Sequence, residues 1–216
     1  MADSLILHNV RISRRGAPLV SIDHTIAPGT VLTVMGPSGV GKSTLLSYVA
    51  GTLSPDFEAS GKVCLGATDI TDLPPAKRRI GILFQDDLLF PHLSVGANLA
   101  FGLRPGGTRA HRRQRIESAL SDIELEGYAD RDPATLSGGQ KARVALMRML
   151  LSEPRALLLD EAFSGLDVSL RRQIRALVFD RARRMHLPVL MVTHDQEDAE
   201  AAGGAVERLT VANLSA

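Results

Sequence analysis

Residues 36–44 form the glycine-rich stretch that most constrains what this chain can fold into. The stretch follows a β-like run over residues 30–35 and precedes a helix-like run over residues 45–50. Its pattern, G-x-x-x-x-G-K-[ST], brings backbone N–H groups close to phosphates, and the following helix directs the positive end of its dipole at them. An ordinary glycine-rich turn is the alternative, and it fits the strand–loop–helix setting less well. The phosphate-binding residues predicted from this P-loop are Gly36, Pro37, Ser38, Gly39, Val40, Gly41, Lys42, Ser43 and Thr44.

The composition is that of an ordinary globular protein. The chain has 216 residues, of which 44% are hydrophobic and 23% charged, and its formal net charge is +1. This length predicts one domain over residues 1–216, and the near-neutral charge gives no reason to expect nucleic acid as a partner. The lone Cys64 has no second cysteine for an internal disulfide, which fits a reducing compartment. Without an apolar run of about 20 residues or a signal-peptide pattern at residues 1–4, we expect a soluble, cytoplasmic protein.

The first third of the chain combines strand and turn patterns. Residues 5–12 and 19–26 partly alternate apolar and polar side chains, with a predicted turn over residues 15–18 between them. This pattern predicts an antiparallel β flap at the N-terminus. Residues 54–60 are predicted to be a loop and residues 61–65 a strand.

From residue 80 onward, strand and helix patterns alternate. In chain order the predicted elements are the strand 80–84, the helix 109–125, the helix 140–152, the strand 156–159, the helix 169–185, the strand 189–192 and a weaker strand 206–211. This order predicts an α/β fold, and the fully apolar strands indicate a parallel sheet covered on both faces. A helical subdomain is predicted as an insertion in this core, over about residues 86–150.

A basic run begins the predicted helix of the insertion. Its members are Arg109, Arg112, Arg113 and Arg115. Such a run is typical of a solvated helix face, and a contact with membrane headgroups or with a partner is the alternative.

Two carboxylates, Asp160 and Glu161, directly follow the apolar strand 156–159. In P-loop enzymes an Asp at such a strand end completes the Mg²⁺ site that the P-loop Ser or Thr begins, so we expect Asp160 to pair with Ser43. Glu161 is placed where an attacking water would lie, which suits a general base. Lys42 is expected to reach the terminal phosphate. A surface turn is the alternative for an acidic pair, and the preceding apolar residues argue against it.

A third motif, Leu-Ser-Gly-Gly-Gln at residues 136–140, opens a predicted helix with a cap-forming Ser and two bare glycines. Together with the P-loop and the acidic pair, it resembles the signature sequence of the ATP-binding cassette (ABC) ATPases. Further motifs of that family match in order: Gln85 as the Q-loop glutamine, residues 164–167 as the D-loop, and residues 193–195 as the switch-histidine motif. A lone histidine after a strand is more often structural, but the flanking Thr193 and Asp195 favour a functional role for His194.

The resemblance implies a P-loop NTPase with a RecA-like core, with ATP and Mg²⁺ as its ligands and ATP hydrolysis as its activity. In this family two cassettes pack head to tail, so that each ATP lies between the P-loop of one copy and the signature motif of the other. By resemblance, Gln85 senses Mg²⁺ and the γ-phosphate, and His194 contacts the γ-phosphate. The implied catalytic residues are Glu161, His194, Gln85 and Lys42. The implied metal ligands are Ser43, Gln85 and Asp160. Besides the P-loop, the resemblance implies five further nucleotide-binding residues: Ser137, Gly138, Gly139, Gln140 and Asp167.

Residues 85–95 resemble the corresponding run of ATPases that energise binding-protein-dependent importers of small solutes such as thiamine, sulfate, iron or polyamines. In that family this region lines the groove for the coupling helix of a membrane subunit. For Leu88, Leu89 and Phe90 the alternative is a place in the core of the insertion. The resemblance implies permease subunits and a solute-binding protein as partners, with attachment at the cytoplasmic face of the membrane. It also favours the short, thiamine-importer kind without a C-terminal regulatory domain.

Two other classes of ABC ATPase compete with the importer. The first is an exporter or lipid-extraction ATPase, and only the run over residues 88–95 argues against that interpretation. A soluble ATPase of DNA repair or translation is disfavoured, because those relatives usually carry a long coiled-coil insertion or two cassettes in one chain.

The sequence departs from the family pattern in two places. Ala162 replaces the proline that commonly follows the catalytic Glu. The aromatic residue that usually stacks on adenine is missing, since residues 13–15 are Ser-Arg-Arg and no aromatic residue precedes Tyr48. We expect Arg14 or Arg15 to cover the base instead, because a guanidinium group also stacks on rings.

Overall fold

The computed structural model describes residues 3–209, and the strands of this region form two sheets. In chain order the strands are β1 (Leu5–Arg14), β2 (Ala17–Ile26), β3 (Val31–Met35), β4 (Glu58–Leu65), β5 (Thr68–Asp69), β6 (Ile80–Phe84), β7 (Ala156–Asp160), β8 (Val189–Thr193) and β9 (Ala205–Arg208). The helices are α1 (Lys42–Ala50), α2 (Pro75–Arg78), α3 (Val95–Gly102), α4 (Arg109–Ser121), α5 (Gly138–Leu150), α6 (Val168–Arg184) and α7 (Gln196–Ala202), and a 3₁₀ turn spans Pro133–Thr135.

An antiparallel sheet is formed by β2, β1, β4 and β5, in that order. It confirms the predicted pairing of the two N-terminal strands and adds β4 on the other side of β1. The predicted turn over residues 15–18 is too long, because Ala17 and Pro18 already belong to β2. Pro18 is tolerated there because β2 is an edge strand. The predicted loop over residues 54–60 is also too long, since β4 begins at Glu58, where its backbone pairs with β1.

A parallel sheet is formed by the other strands, in the order β6-β7-β8-β3-β9, as predicted. Residues 156–159 of β7 are all fully buried, and alternate side chains enter two different hydrophobic clusters. Leu157 and Leu159 pack with α5 and α6, whereas Ala156 and Leu158 pack with α1 and the antiparallel sheet. The sheet is therefore covered on both faces. Its register places the carboxyl ends of β3, β6, β7 and β8 side by side at one edge.

The predicted helices of the second half are present with shifted ends. α4 ends at Ser121, four residues early, and Glu124 beyond it has a positive φ of 59° that no continuing helix allows. α5 begins at Gly138, two residues early, because Ser137 and Gln140 form a capping box that starts the helix there. The pattern of apolar residues thus locates each helix, while backbone conformation and caps set its ends.

The last predicted strand and the predicted insertion are both partly covered by the structure. β9 ends at Arg208, and residues 210 and 211 of the predicted strand 206–211 lie outside the described residues. α3 and α4 fall within the predicted insertion and share one hydrophobic cluster with α5. α5 also lies directly on β6, because a Cβ added to Gly81 would come within 2.4 Å of Met149 Sδ. The division of residues 86–150 into a subdomain stays a prediction.

Between residues 3 and 209, none of the helices is both long enough and apolar enough to cross a lipid bilayer.

A buried arginine, Arg78, closes the C-terminal end of α1. Its guanidinium donates to the carbonyl oxygens of Tyr48 and Val49 at 2.8 and 2.9 Å, and to those of Leu73, at 2.8 Å, and Thr71. The carbonyl of Tyr48 also accepts from the N–H of Gly51 at 3.1 Å. The carbonyl of Val49, one of the helix-end acceptors that lack a partner in their own helix, depends on Arg78. Burial lowers the pKa of Arg78, which marks the cost of keeping this charge away from water.

We expect Arg78→Met to lower the free energy of unfolding by about 3 kcal/mol or more, because the buried carbonyl of Val49 and the partly buried carbonyls of Leu73 and Thr71 lose their donor at about 1–3 kcal/mol each. Urea unfolding followed by circular dichroism measures the change. The matched control is Lys77→Met at the exposed neighbouring position, which should shift stability by no more than about 0.5 kcal/mol. Equal stability of the two variants would contradict this account of Arg78.

Candidate functional site

The P-loop lies between β3 and α1, at the edge where the parallel strands end. Gly41 has a φ of 106°, and a Cβ there would be 2.8 Å from Val20 Cγ2, so glycine is required on both grounds. Gly41 is also the N-cap of α1 and supplies no side-chain acceptor. The first N–H groups of α1 are therefore free of a side-chain cap and are the donors that an anion at this helix end would use.

Lys42, the first residue of α1, is buried and points its ammonium group into the loop. Lys42 Nζ donates to the carbonyl oxygens of Gly36 at 2.8 Å and Pro37 at 3.1 Å, and lies 3.9 Å from Glu161 Oε1. The lysine thus holds its charge inside the loop, beside the free amides of α1. This combination of a buried cation and helix-end N–H groups suits a phosphate.

The predicted metal ligands come together at the end of β7. Ser43 Oγ donates to Asp160 Oδ1 at 3.1 Å, as the sequence predicts. Both line a cavity of about 320 Å³ together with Gln85 and Glu161. Burial raises the pKa of Asp160, and the hydrogen bond from Ser43 opposes that shift. A half-buried carboxylate beside hydroxyl and amide oxygens is a donor set that suits a hard divalent cation.

Glu161 lies between the P-loop and residues 193–195, which we call the switch segment. Its φ is 47°, a left-handed conformation that is unusual for a residue with a side chain. Its backbone N–H donates to the carbonyl oxygen of Val192 at 3.1 Å, which ties it to the end of β8. Glu161 Oε2 is 2.9 Å from His194 Nδ1. The switch histidine, His194, and the P-loop lysine, Lys42, therefore both lie against the carboxylate of Glu161, the predicted base.

The residues of the signature motif form a second cavity. Ser137 Oγ accepts from the N–H of Gln140 at 3.3 Å, and Gln140 Oε1 accepts from the N–H of Ser137 at 3.0 Å. This cavity, of about 440 Å³, is lined by Ser137, Gly138, Gly139 and Asp167 among others, and it shares no lining residue with the cavity at Asp160. One copy of the chain therefore presents the signature motif and the metal-ligand set at separate places.

Arg148 and Arg175 make contacts at the site that the sequence does not indicate. Arg148 of α5 donates to the carbonyl oxygens of Leu88 at 2.9 Å and Asp87 at 3.2 Å, so the segment after Gln85 is fixed to the helix that starts at the signature motif. Burial raises the pKa of Asp87 and lowers that of Arg148. Arg148 reads as an ordinary polar position of an amphipathic helix, so no sequence signal distinguishes it.

The second of these contacts lies beneath the switch segment. Asp198, fully buried, accepts from Thr193 Oγ1 at 3.1 Å and from Arg175 Nη1 at 2.8 Å. Burial raises the pKa of Asp198, and Arg175 opposes that shift. Asp198 stands in an acidic stretch, residues 195–200, which is typical of an exposed helix. Its burial could not be predicted.

The run predicted to meet a partner is divided between surface and core. Leu88 is 56% exposed and Phe101 69% exposed, whereas Leu89 packs against the hydrophobic cluster of α3 to α6. The Phe90 ring contacts Phe101 edge-on with centroids 4.6 Å apart. We call Leu88, Phe90 and Phe101 the apolar patch.

Arg14 and Arg15, the two arginines predicted to cover the base, have different surroundings at the β1–β2 turn. Arg14 Cζ lies 5.4 Å from the centroid of the Phe57 ring, so its guanidinium already stacks on a side chain. Arg15 sits in the turn with a φ of 52°. The β2 residues after this turn reach the P-loop, since Leu19 and Val20 lie against Gly41.

A parallel sheet in this strand order, with a P-loop after one strand and carboxylates at the end of another, defines a P-loop NTPase. The ABC transporter family model matches residues 19–164. The chain therefore belongs to the ATP-binding subunits of ABC transporters, which bind and hydrolyse ATP.

Several curated proteins are similar over most of this chain. An uncharacterized ABC transporter ATP-binding protein, YnjD of Escherichia coli (strain K12), is 50% identical over 183 residues, which cover 85% of this chain and 84% of that protein. The thiamine import ATP-binding protein ThiQ of Jannaschia sp. (strain CCS1) is 46% identical over 91% of this chain and 84% of its own length. The Fe(3+) ions import ATP-binding protein FbpC of Agrobacterium fabrum is 41% identical over 91% of this chain and 55% of its own length.

Proposed function

We propose that this chain hydrolyses ATP to drive import of a small solute through separate membrane subunits. The observation that carries the proposal is the apolar patch together with Arg148. Leu88 and Phe101 are exposed, while the backbone of Leu88 is hydrogen-bonded to Arg148 and adjoins the cavity that holds Asp160. A partner seated on this patch would sense changes at the nucleotide site through that backbone. The names of ThiQ and FbpC, both import ATP-binding proteins, favour import.

The residues around Asp160 fit ATP and Mg²⁺. The uncapped start of α1 and the buried Lys42 provide positive charge for the phosphates. Ser43, Gln85 and Asp160 would hold Mg²⁺, which supplies charge neutralisation at the phosphates when bound. Burial raises the pKa of Asp160 more than Ser43 and the charge of Lys42 lower it, so a bound cation would further favour the ionised form of this half-buried carboxylate.

For hydrolysis, Glu161 is proposed as the general base. Its carboxylate accepts a proton from water as the water oxygen bonds to the γ-phosphorus and the bond to the β–γ bridging oxygen breaks. His194, which contacts Glu161 at 2.9 Å, orients that carboxylate and is near enough to share the γ-phosphate site. Lys42 stabilises the charge that develops on the transferred group.

A second copy of the chain is proposed to complete each site. The signature cavity at Ser137 and Asp167 lies apart from the cavity at Asp160. Its bare glycines and helix N-terminus suit the phosphates of a nucleotide that a partner copy holds. The remaining proposed partners are permease subunits and a solute-binding protein, with the ATPase attached to the cytoplasmic face of the membrane.

The import proposal is tested by co-expressing the chain with candidate permease and solute-binding proteins from the same genome, and assaying the reconstituted complex in liposomes. We expect ATP hydrolysis to rise when the loaded binding protein is added, and solute to move away from the binding-protein side. Movement in the opposite direction, or hydrolysis indifferent to the membrane subunits, would contradict import.

Phe101→Glu places a charge in the apolar patch and should reduce recovery of the ATPase with its membrane subunits at least tenfold, because apolar anchors carry most interface energy. Hydrolysis by the free ATPase should stay within about twofold, since Phe101 does not line the cavity at Asp160. Met185→Glu is the control, at an exposed apolar position at the end of α6. If Phe101→Glu were recovered with the membrane subunits as efficiently as the wild type, the apolar patch would be ruled out as the docking site.

Base recognition is expected to be weak. A guanidinium contact with a base contributes about 0.5–1 kcal/mol when exposed and favours no particular purine. GTP should therefore be hydrolysed within several-fold of ATP, and Arg14→Tyr should tighten ATP binding by up to about 1 kcal/mol. Competition among ATP, GTP and inorganic triphosphate measures both, with Arg11→Tyr on the same strand as the control. An ATP affinity several orders of magnitude above that of triphosphate would reveal a specific adenine pocket.

A further inference from the structure

Arg171, in the first turn of α6, joins two segments of the site. Arg171 Nη1 lies 2.5 Å from Asp195 Oδ2, and Nη2 donates to the carbonyl oxygen of Ser164 at 3.3 Å. Both charged side chains are about three-quarters buried, at 22% and 25% exposed. Asp195 belongs to the switch segment after β8, and Ser164 to the loop that follows Glu161. One guanidinium therefore holds both segments.

The loop at Ser164 is hydrogen-bonded to Glu161, and the switch segment contains His194, so each segment connects to one partner of the contact between Glu161 and His194. Ser164 donates to the carbonyl oxygen of Glu161 from its N–H at 3.1 Å and its Oγ at 2.9 Å. Asp195 directly follows His194, and its own N–H donates to Thr193 Oγ1 at 3.0 Å. The contact between Glu161 Oε2 and His194 Nδ1, at 2.9 Å, closes a ring that runs through Ser164, Arg171 and Asp195.

The geometry of Arg171 shows what its burial achieves. Its Nε–H is buried without a hydrogen-bond partner among residues 3–209, and an unpaired buried donor is unfavourable. The side chain nevertheless adopts this position, in which its two outer nitrogens bind different segments. A planar guanidinium group, with donors on separate nitrogens, can bind two segments at once, whereas a lysine ammonium has all its donors on one nitrogen.

Glu161 also needs an external restraint. Its left-handed backbone, with φ at 47°, is a strained conformation that persists only when surrounding contacts impose it. The bonds from Ser164 to its carbonyl group are part of that restraint, and Arg171 holds Ser164 in turn. The neighbouring Arg175 has a different role, because it pairs with the buried Asp198 beneath the switch segment.

We propose that Arg171 is a positioning residue for ATP hydrolysis, which sets the placement of Glu161 relative to His194 by holding Ser164 and Asp195 together. The proposal rests on the roles given above to Glu161 and His194. It requires Arg171 to touch neither the nucleotide nor the attacking water. Its loss should slow the chemical step and leave nucleotide binding largely in place.

The test compares steady-state hydrolysis and ATP binding for Arg171→Gln, Arg171→Lys and the control Arg172→Gln, whose side chain is exposed on the same helix. Arg171→Gln is expected to lower kcat by about ten- to a hundredfold, the scale for misplaced catalytic groups, with KM and ATP affinity within about threefold. Arg171→Lys should recover part of kcat, because it can bind Asp195 but not Ser164 as well. Arg172→Gln should match the wild type.

A double variant separates this role from a general loss of structure. If Arg171 acts through Asp195, then Arg171→Gln combined with Asp195→Asn should be no slower than the slower single variant, because both remove the same link. Multiplying effects, an unchanged kcat in Arg171→Gln, or a loss of ATP binding equal to the loss of kcat would each overturn the proposal. Inactive wild-type protein, or normal hydrolysis by Glu161→Gln, would instead overturn the roles on which it rests.

Discussion

Glu161→Gln is expected to keep ATP binding and to slow hydrolysis by about a hundredfold or more, the scale for loss of a general base. The amide has the size and reach of the carboxylate, so it can remain beside His194 and Lys42, but it cannot take a proton from water. Bound ATP should then persist and hold two copies together. Nucleotide binding, single-turnover hydrolysis, and size-exclusion chromatography with and without Mg-ATP measure these effects.

The control for this variant is Glu117→Gln, at an exposed position in α4 that does not line the cavity at Asp160, which should behave as the wild type. Hydrolysis at the normal rate by Glu161→Gln would eliminate this residue as the base. A loss of ATP binding would show that the carboxylate acts in binding instead.

Ser137→Arg is expected to abolish turnover. Ser137 caps α5 and lines the signature cavity, so an arginine there removes the cap and fills the space proposed for the phosphates of a partner's nucleotide. The copy should still bind ATP at its own P-loop. Steady-state hydrolysis and equilibrium ATP binding separate the two effects, with Ser118→Arg, exposed on α4, as the control.

Mixing two inactive variants extends this test. Lys42→Ala disables the P-loop of one copy, and Ser137→Arg disables the signature motif of the other. In a mixed dimer one site combines the two lesions and the other is intact, so partial activity should return on mixing. No recovery with the mixed dimer present would contradict sites shared between copies.

The parts of the fold that follow from local pattern could be predicted from the sequence. Four consecutive apolar residues before Asp160 indicated a strand buried on both faces, and the glycines around Lys42 indicated a loop between a strand and a helix. The contact between Ser43 and Asp160 was predicted from the Mg²⁺ site that these two positions share in P-loop enzymes. The structure contains this contact because the ends of parallel strands share an edge of the sheet.

Features that depend on contacts distant in sequence could not be predicted. β4 starts at Glu58 because β1 pairs with it there, and no local signal marks that start. Arg78 and Arg148 act on backbone carbonyls, which have no sequence signature. Asp198 looks like part of an exposed acidic helix until Arg175, on another helix, is placed against it.

The dependence of hydrolysis rate on protein concentration tests the central claim, which is that two copies of this chain form each ATP site. At limiting concentrations we expect the rate per copy to rise with concentration and to level off once dimers predominate. A dimer detected by light scattering over the same range should account for the rise. A rate per copy that stays constant down to concentrations with no dimer would contradict the claim.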